Sequence, residues 1–217
     1  MKPLNRRPIK TRSHTWVLKF ASYLNQIGLS PNQISVIGVG ISFLGALSMV
    51  VVESIDTSTF FAGGLLFFAA VTVQFRLLCN MMDGIVATEF GKKSKLGDLF
   101  NEVPDRIEDT LFLVAAGYAT GTPAGMVFGW LAALCAIGTA YLRLLGGLLG
   151  FEQDFSGPAA KPQRMFLLTV TLIIAAFQTW LNANNSALTY GLFFILAGTL
   201  ITILRRLRTL AKNMNQR

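Results

Sequence analysis

Six apolar segments, each about as long as a bilayer core is thick, constrain this chain of 217 residues more than any other feature. A hydrocarbon core about 30 Å thick needs about 20 apolar residues per helix. The segments span Gln33–Val52, Thr59–Met82, Phe100–Tyr118, Pro123–Leu149, Met165–Leu181 and Leu188–Leu204. A composition of 53% hydrophobic and 14% charged residues is unlike that of a soluble domain. We therefore predict an all-α integral membrane bundle of six transmembrane helices.

The net charge of +8 is distributed in a way that predicts the membrane topology. Lys and Arg gather at the two ends of the chain and in the loops after the second and fourth segments. The other three loops hold none, as the positive-inside rule requires. Both termini, the loops that carry Lys92 and Lys161, and the functional site between them are therefore expected in the cytoplasm. Because this charge serves topology and attraction to anionic lipids, we expect no nucleic-acid partner.

The chain shows no internal repeat, so we expect residues 1–217 to form a single membrane domain. Residues 1–29 combine a basic arm with an amphipathic helix over Trp16–Ile27, which suits the membrane surface. Residues 30–204 are expected to form the six-helix bundle. Residues 205–217 are expected to form a basic cytoplasmic tail.

The stretch Asn80–Asp105 brings oxygen-bearing and small side chains to two helix faces. Residues three or four apart share a face of a helix. The first face carries Asn80, Asp83, Gly84 and Ala87, and the second carries Gly97, Asn101 and Asp105. Polar residues near the ends of membrane helices are costly and usually mark a site. We predict a functional site where these two faces meet.

This stretch reads N-x-x-D-G-x-x-A-T-x8-G-x-x-x-N-x-x-x-D. It resembles, without a gap, the D-x-x-D-G-x-x-A-R-x8-G-x-x-x-D-x-x-x-D motif of the CDP-alcohol phosphatidyltransferase family. Five positions agree, namely Asp83, Gly84, Ala87, Gly97 and Asp105. Three positions differ, because Asn80, Thr88 and Asn101 stand where the family has Asp, Arg and Asp. The resemblance implies a membrane enzyme that moves a phosphatidyl group from a CDP-linked lipid to an alcohol and releases CMP.

The resemblance also implies a metal site. It assigns metal-ligand positions to Asp83, Asn80, Asn101 and Asp105, and makes Asp105 the catalytic base. Oxygen ligands of this kind suit Mg²⁺ or Mn²⁺. An asparagine oxygen can bind a cation but brings no charge, so we expect one ion to be held more readily than two. An arginine is lost together with two acids, so the site loses charge of both signs. We therefore interpret it as a functional site with an altered charge balance and not as one that has lost its function.

Five positions are expected to contact the nucleotide half of the donor: Asn32, Gly84, Ala87, Thr88 and Gly97. Asn32 ends a G-L-S-P-N turn that also resembles the family, although capping of the next helix by Ser30 alone would explain it. The small residues remove side-chain bulk, so that a base and a diphosphate can approach the backbone. Close helix packing would use small residues too.

Three cations, Arg143, Lys161 and Arg164, are expected at the cytoplasmic ends of the fourth and fifth segments. In the family, basic residues of this region hold the phosphate of the acceptor. The positive-inside rule alone would also place charges at Lys161 and Arg164. These residues favour a phosphorylated acceptor such as glycerol 3-phosphate or inositol phosphate, and a free alcohol such as serine or inositol stays open.

Arg76 lies inside the second segment and has two interpretations. A guanidinium at that depth needs a partner. The partner is either an acid on the next helix, such as Glu108, or a substrate phosphate beside the metal site.

The main prediction is a metal-dependent transferase of phospholipid biosynthesis that uses CDP-diacylglycerol and acts as a homodimer in the membrane. One alternative is an altered or inactive relative that binds CDP-lipid without turnover. Another is an unrelated membrane transporter. A transporter would spread polar residues through the midplanes of several spans, whereas here they cluster at one end.

Overall fold

A computed structural model of the protein describes residues 15–54, 59–183 and 186–216. Within these ranges the chain forms helices and no β-strand. The helices are α1 (Thr15–Gln26), α2 (Pro31–Ser54), α3 (Thr59–Glu89), α4 (Gly97–Tyr118), α5 (Pro123–Leu148), α6 (Lys161–Trp180) and α7 (Ala187–Asn215). The prediction of an all-α fold is confirmed. Residues 1–14, which contain the whole predicted basic arm, lie outside the described ranges.

Four of these helices, α2, α3, α5 and α7, are long and apolar enough to cross a membrane. The helices α4 and α6 correspond to the other two predicted spans, but both carry charged side chains. Asp105, Glu108 and Asp109 lie in α4, and Lys161 and Arg164 lie in the first turns of α6. The helices therefore support a multi-pass membrane bundle.

Four helices extend three or more residues beyond the predicted spans, and one of them is α6, which begins at Lys161 instead of Met165. The helix α3 continues to Glu89 and α4 begins at Gly97, so both polar faces of the motif are helical. The helix α7 continues to Asn215 and includes most of the predicted tail. Residues 205–215 contain neither Gly nor Pro, so nothing in this sequence ends the helix.

The start of α2 is fixed by a reciprocal cap. The backbone N–H of Ser30 donates to Oε1 of Gln33 at 2.9 Å, and the backbone N–H of Gln33 donates to Oγ of Ser30 at 3.3 Å. Pro31 occupies the first helical position, where its missing N–H costs nothing. The predicted capping box is confirmed, and it fixes the position of Asn32 in the first turn.

Six helices form a closed ring in the order α2, α3, α6, α7, α5 and α4, with α4 returning to α2. The main apolar core lies inside this ring and includes Leu66, Phe112, Leu168 and Leu192. The helix α1 packs outside the ring on α3, where Val17 is fully buried against its apolar residues. At one end of this bundle, the first turns of α2, α4 and α6 lie beside the last turns of α3 and α5.

The helices α4 and α5 approach each other at two glycines. A Cβ atom on Gly129 would lie 2.7 Å from the carbonyl oxygen of Leu113 and 2.9 Å from Cα of Gly117. A Cβ atom on Gly117 would lie 2.8 Å from the carbonyl oxygen of Gly125. These atoms belong to the backbone, so the two helices must move apart to accept any side chain.

We expect Gly129→Ala to destabilise the fold by about 1–3 kcal/mol, because the added methyl group overpacks a backbone contact. Thermal unfolding of the purified protein in detergent measures the effect. The control is Gly40→Ala in α2, where a Cβ atom meets nothing within 4 Å and only helix propensity improves. Equal unfolding temperatures for the two variants would contradict the prediction.

Candidate active site

A cavity of about 600 Å³ opens at the end of the bundle where α2, α4 and α6 begin. Every predicted site residue except Thr88 lines it. The lining residues among them are Asn32, Asn80, Asp83, Gly84, Ala87, Gly97, Asn101, Asp105, Arg143, Lys161 and Arg164. The two faces of the motif therefore meet, as the spacing predicts.

Thr88 lies outside this lining, and its hydroxyl is bonded within its own helix. The hydroxyl donates to the carbonyl oxygen of Gly84 at 2.8 Å, and the carbonyl oxygen of Ile85 lies 3.3 Å from it. Where the family has a long cationic side chain, this chain has a short one bonded to the backbone. The expected nucleotide contact of Thr88 has no support in this geometry.

Asp105 lies at the centre of the polar wall. Its Oδ1 accepts a hydrogen bond from the amide nitrogen of Asn80 at 2.8 Å and a second from the ammonium group of Lys161. The same Asn80 nitrogen also donates to Oε2 of Glu108 at 3.2 Å. Because both acceptors are carboxylates, the NH₂ group of Asn80 must face them, which leaves its oxygen for another partner.

A buried ion network adjoins Asp105. Both Arg76 and Glu108 are fully buried, and Nε of Arg76 donates to Oε2 of Glu108 at 2.5 Å. Nη2 of Arg76 donates to Oδ1 of Asp109 at 2.5 Å, and Nη2 of Arg164 donates to Oδ2 of Asp109 at 2.6 Å. Of the two interpretations of Arg76, the structure shows the ion pair with Glu108. Buried charges persist only when they are paired and hydrogen-bonded.

Asp83 joins α3 to α2. Its Oδ2 accepts a hydrogen bond from the hydroxyl of Ser35 at 2.7 Å, and its side chain is almost buried. Ser35 also lines the cavity and was not predicted, although it lies three residues after Asn32 on the same helix face. The amide of Asn32 donates to Oγ of Ser94 at 3.3 Å, which ties the first turn of α2 to the loop before α4.

Each of the three predicted acceptor cations has a carboxylate partner. Arg143 donates to both oxygens of Glu102, at 2.6 and 2.5 Å, and lies 5.3 Å from the ring centre of Phe155. Lys161 and Arg164 bond to the acids described above, on α4. The ends of α5 and α6 are therefore held to α4 by ion pairs.

Arg206 is a cavity residue that the sequence analysis missed. Its guanidinium donates to the carbonyl oxygens of Thr139 at 2.6 Å and Ser156 at 3.1 Å, and the residue is buried. Within the described part of the chain, no carboxylate lies at ion-pair distance from it. The sequence pattern that could have predicted Arg206 is a polar stripe at helical spacing. Thr199, Thr202 and Arg206 share one face of α7.

The oxygen atoms at this cavity fit a hard divalent cation. Asp83 and Asp105 supply carboxylates, and Asn80 and Asn101 supply amide oxygens, all in the cavity wall. Within the described ranges, no three Asp, Glu, His or Cys side chains gather into a metal site. A cation here would therefore depend on two carboxylates, amide oxygens and the phosphates of a substrate.

The chain is similar to an inner membrane protein and to phosphatidylinositol phosphate synthases. No family model matches the chain. The inner membrane protein YnbA of Escherichia coli K12 is 25% identical over 159 residues, which cover 72% of this chain and 74% of that protein. The phosphatidylinositol phosphate synthase of Mycobacterium tuberculosis is 26% identical over 196 residues, which cover 86% and 81%.

Crystal structures of the Mycobacterium tuberculosis synthase share this fold. The structure with CDP-DAG bound has a TM-score of 0.74 and 22% identity, and the match covers 89% of this chain and 92% of that one. The complex with manganese and citrate has a TM-score of 0.72 and 23% identity, with coverage of 89% and 88%.

We expect Arg76→Met to destabilise the fold by about 3–5 kcal/mol, because it leaves two buried carboxylates short of a cation. Thermal unfolding in detergent measures the loss. The control is Arg106→Met, which removes a partly exposed pair with Glu102, four residues away, and should cost about 0–1 kcal/mol. The prediction fails if Arg76→Met unfolds at the temperature of Arg106→Met.

Proposed function

We propose that this protein transfers a phosphatidyl group from a CDP-linked lipid to an alcohol acceptor and releases CMP. CDP-diacylglycerol is the proposed donor, and phospholipid biosynthesis is the proposed role. The observation that carries the proposal is the gathering of the motif residues, from two helices, on the wall of one cavity. The relatives support it, since the Mycobacterium tuberculosis synthase has the same fold and a structure with CDP-DAG bound.

The proposed nucleotide-binding residues are Asn32, Gly84, Ala87 and Gly97. All of them line the cavity, and three are small enough to let a base and a diphosphate reach the backbone. We leave Thr88 out of this set because its hydroxyl is bonded to its own helix. Ser35 is proposed as a positioning residue, because its hydroxyl donates to the carboxylate of Asp83.

Asp105 is the proposed catalytic base, because its carboxylate faces the cavity and one of its oxygens can take the proton of an acceptor hydroxyl. Asp83, Asn80, Asn101 and Asp105 are the proposed ligands of Mg²⁺ or Mn²⁺. A bound divalent cation would neutralise the diphosphate and stabilise the departing CMP. The complex of the related synthase with manganese supports this choice of cofactor.

The acceptor site is proposed to lie between Arg143, Lys161, Arg164 and Arg206. Arg206 offers an anionic acceptor a guanidinium that has no carboxylate at ion-pair distance among the described residues. This favours a phosphorylated alcohol. Because the related synthases are named for phosphatidylinositol phosphate, inositol phosphate is the first acceptor to test.

We also propose the membrane arrangement. Both termini and the cavity face the cytoplasm, six helices span the bilayer, and two copies of this single domain associate as a homodimer. The distribution of Lys and Arg supports the sidedness. The closed ring of six helices supports six spans, since α4 and α6 complete the ring that the four long apolar helices leave open.

A second candidate is a protein that binds CDP-lipid without turnover. Asn80 and Asn101 favour it, because they remove charge from two ligand positions. The bonds of Asp105 to Lys161 and Asn80 also favour it, since both occupy a carboxylate oxygen that a cation or an acceptor hydroxyl would otherwise contact.

We expect the purified protein in lipid micelles to release CMP from CDP-diacylglycerol only with Mg²⁺ or Mn²⁺ and one acceptor of a panel. The panel contains inositol phosphate, glycerol 3-phosphate, inositol and serine. Release should stop with a chelator and fall at least 100-fold in Asp105→Asn, whose folding is checked by its unfolding temperature. CDP-lipid binding without CMP release under any condition would favour the binding protein instead.

We expect Asn80→Ala to lower CMP release at least tenfold, to a level comparable with Asp83→Ala. The change removes the amide that links Asp105 to Glu108 and the oxygen proposed for the cation. Thr88→Ala is the control, since Thr88 does not line the cavity and should retain nearly full release. Full release by Asn80→Ala would remove Asn80 from the site.

A further inference from the structure

We propose that Lys161 and a divalent cation are alternative partners of Asp105, so that metal binding releases the lysine into the cavity. The released ammonium would then be available to a phosphate group of a substrate. This inference rests on the proposed function, in which Asp105 is a ligand of the cation. This exchange with the cation differs from the predicted contact of Lys161 with the acceptor. It is also not part of the sequence motif.

The first support is the geometry of the carboxylate. Oδ1 of Asp105 already accepts from two donors, the ammonium group of Lys161 and the amide of Asn80. The guanidinium of Arg76 lies 3.8 Å from the same oxygen. A divalent cation that approaches this oxygen meets two positive side chains and an N–H dipole turned toward it.

The second support is the charge balance of the cluster. Three carboxylates, on Asp105, Glu108 and Asp109, bond to three cations, on Arg76, Lys161 and Arg164. The cluster is therefore neutral without a metal ion. Asp83, the other acid proposed to bind the cation, adds at most one negative charge to the cavity wall. A divalent cation bound to Asp105 would therefore still leave an excess of positive charge in a partly buried site, unless one of the three cations moved away.

Lys161 is the cation of this cluster that can move. Arg76 and Arg164 are almost completely buried, and each bonds to Asp109. The side chain of Lys161 is 23% exposed, forms its ion pair with Asp105 alone among the described residues, and lines the cavity. An ammonium on a flexible stem can turn toward the open volume, where a diphosphate or an acceptor phosphate would bind.

The first experiment measures Mn²⁺ affinity of the purified full chain in detergent, by electron paramagnetic resonance of free Mn²⁺. We expect Lys161→Met to bind Mn²⁺ at least tenfold more tightly than the unmodified protein. The matched control is Lys92→Met, which removes the same charge from the same cavity but no ion pair found in the described chain. It should change the affinity by less than threefold. Equal effects of the two variants would overturn the proposal.

The second experiment uses the unmodified protein, so it does not depend on the folding of a variant. An amine-acylating reagent labels lysines, and peptide mass spectrometry reports each site. Saturating Mn²⁺ should raise the labelling rate of Lys161 at least threefold, while Lys92 and Lys93 label at constant rates. A rate for Lys161 that does not respond to Mn²⁺ contradicts the exchange.

Two further arms identify the phosphate that Lys161 meets. With Mn²⁺ present, renewed protection by CDP indicates the donor diphosphate, and renewed protection by glycerol 3-phosphate or inositol phosphate indicates the acceptor. Protection by none of them contradicts the second half of the proposal.

These experiments are independent of turnover. If Lys161→Met binds Mn²⁺ tightly but the unmodified protein releases no CMP, the exchange stands and the proposed activity fails. If CMP is released with metal but neither Mn²⁺ affinity nor labelling depends on Lys161, the activity stands and the exchange fails.

Discussion

The buried ion network of Arg76, Glu108, Asp109 and Arg164 is the interaction on which the rest of the site depends. It joins α3, α4 and α6, and each of its charges is costly to bury unless all of its partners are present. The network therefore fixes the rotation of α4 about its own axis. Once α4 is fixed in this way, Asp105 and Asn101 follow at helical spacing and must face the cavity. The glycine contact between α4 and α5 permits this arrangement, because it lets α5 carry Arg143 close to Glu102.

The three residues at which this stretch differs from the motif it resembles, Asn80, Thr88 and Asn101, form one coherent change. An aspartate at position 80 would place its carboxylate within hydrogen-bond distance of the carboxylates of both Asp105 and Glu108. The amide of Asn80 instead donates to both of the other two. Loss of two negative charges, at Asn80 and Asn101, accompanies loss of one positive charge at Thr88, whose hydroxyl donates to the backbone of its own helix. The site has fewer charges of both signs, and those near Asp105 are paired.

Periodicity was enough to predict which residues meet, because residues on one helix face stay together wherever the helix packs. The two faces of the motif and most helix positions follow from it, and the cap at Ser30 follows from the residues of the turn.

The ion pairs between helices could not be predicted in the same way. Glu102 with Arg143 and Asp105 with Lys161 join residues about 40 and 56 positions apart, and such contacts depend on how helices are arranged in the ring. Arg206 was missed because the apolar segment was taken to end two residues before it, although the polar stripe of α7 continues through it.

The charges in α4 and α6 also explain why these helices differ from the four long apolar ones. Their ionisable residues lie in the half that borders the cavity, and the remainder of α4 is apolar, with Phe112 and Leu113 buried in the core. Because the buried carboxylates and guanidinium groups neutralise one another inside the ring, each helix presents less charge to its surroundings than its composition indicates. A substrate with a polar nucleotide and apolar chains needs a binding surface of this kind, polar at the cavity and apolar farther along the helices. The charged residues of α4 and α6 are therefore the consequence of building a site into a membrane bundle, and they do not oppose the proposal that both helices cross the bilayer with the other four.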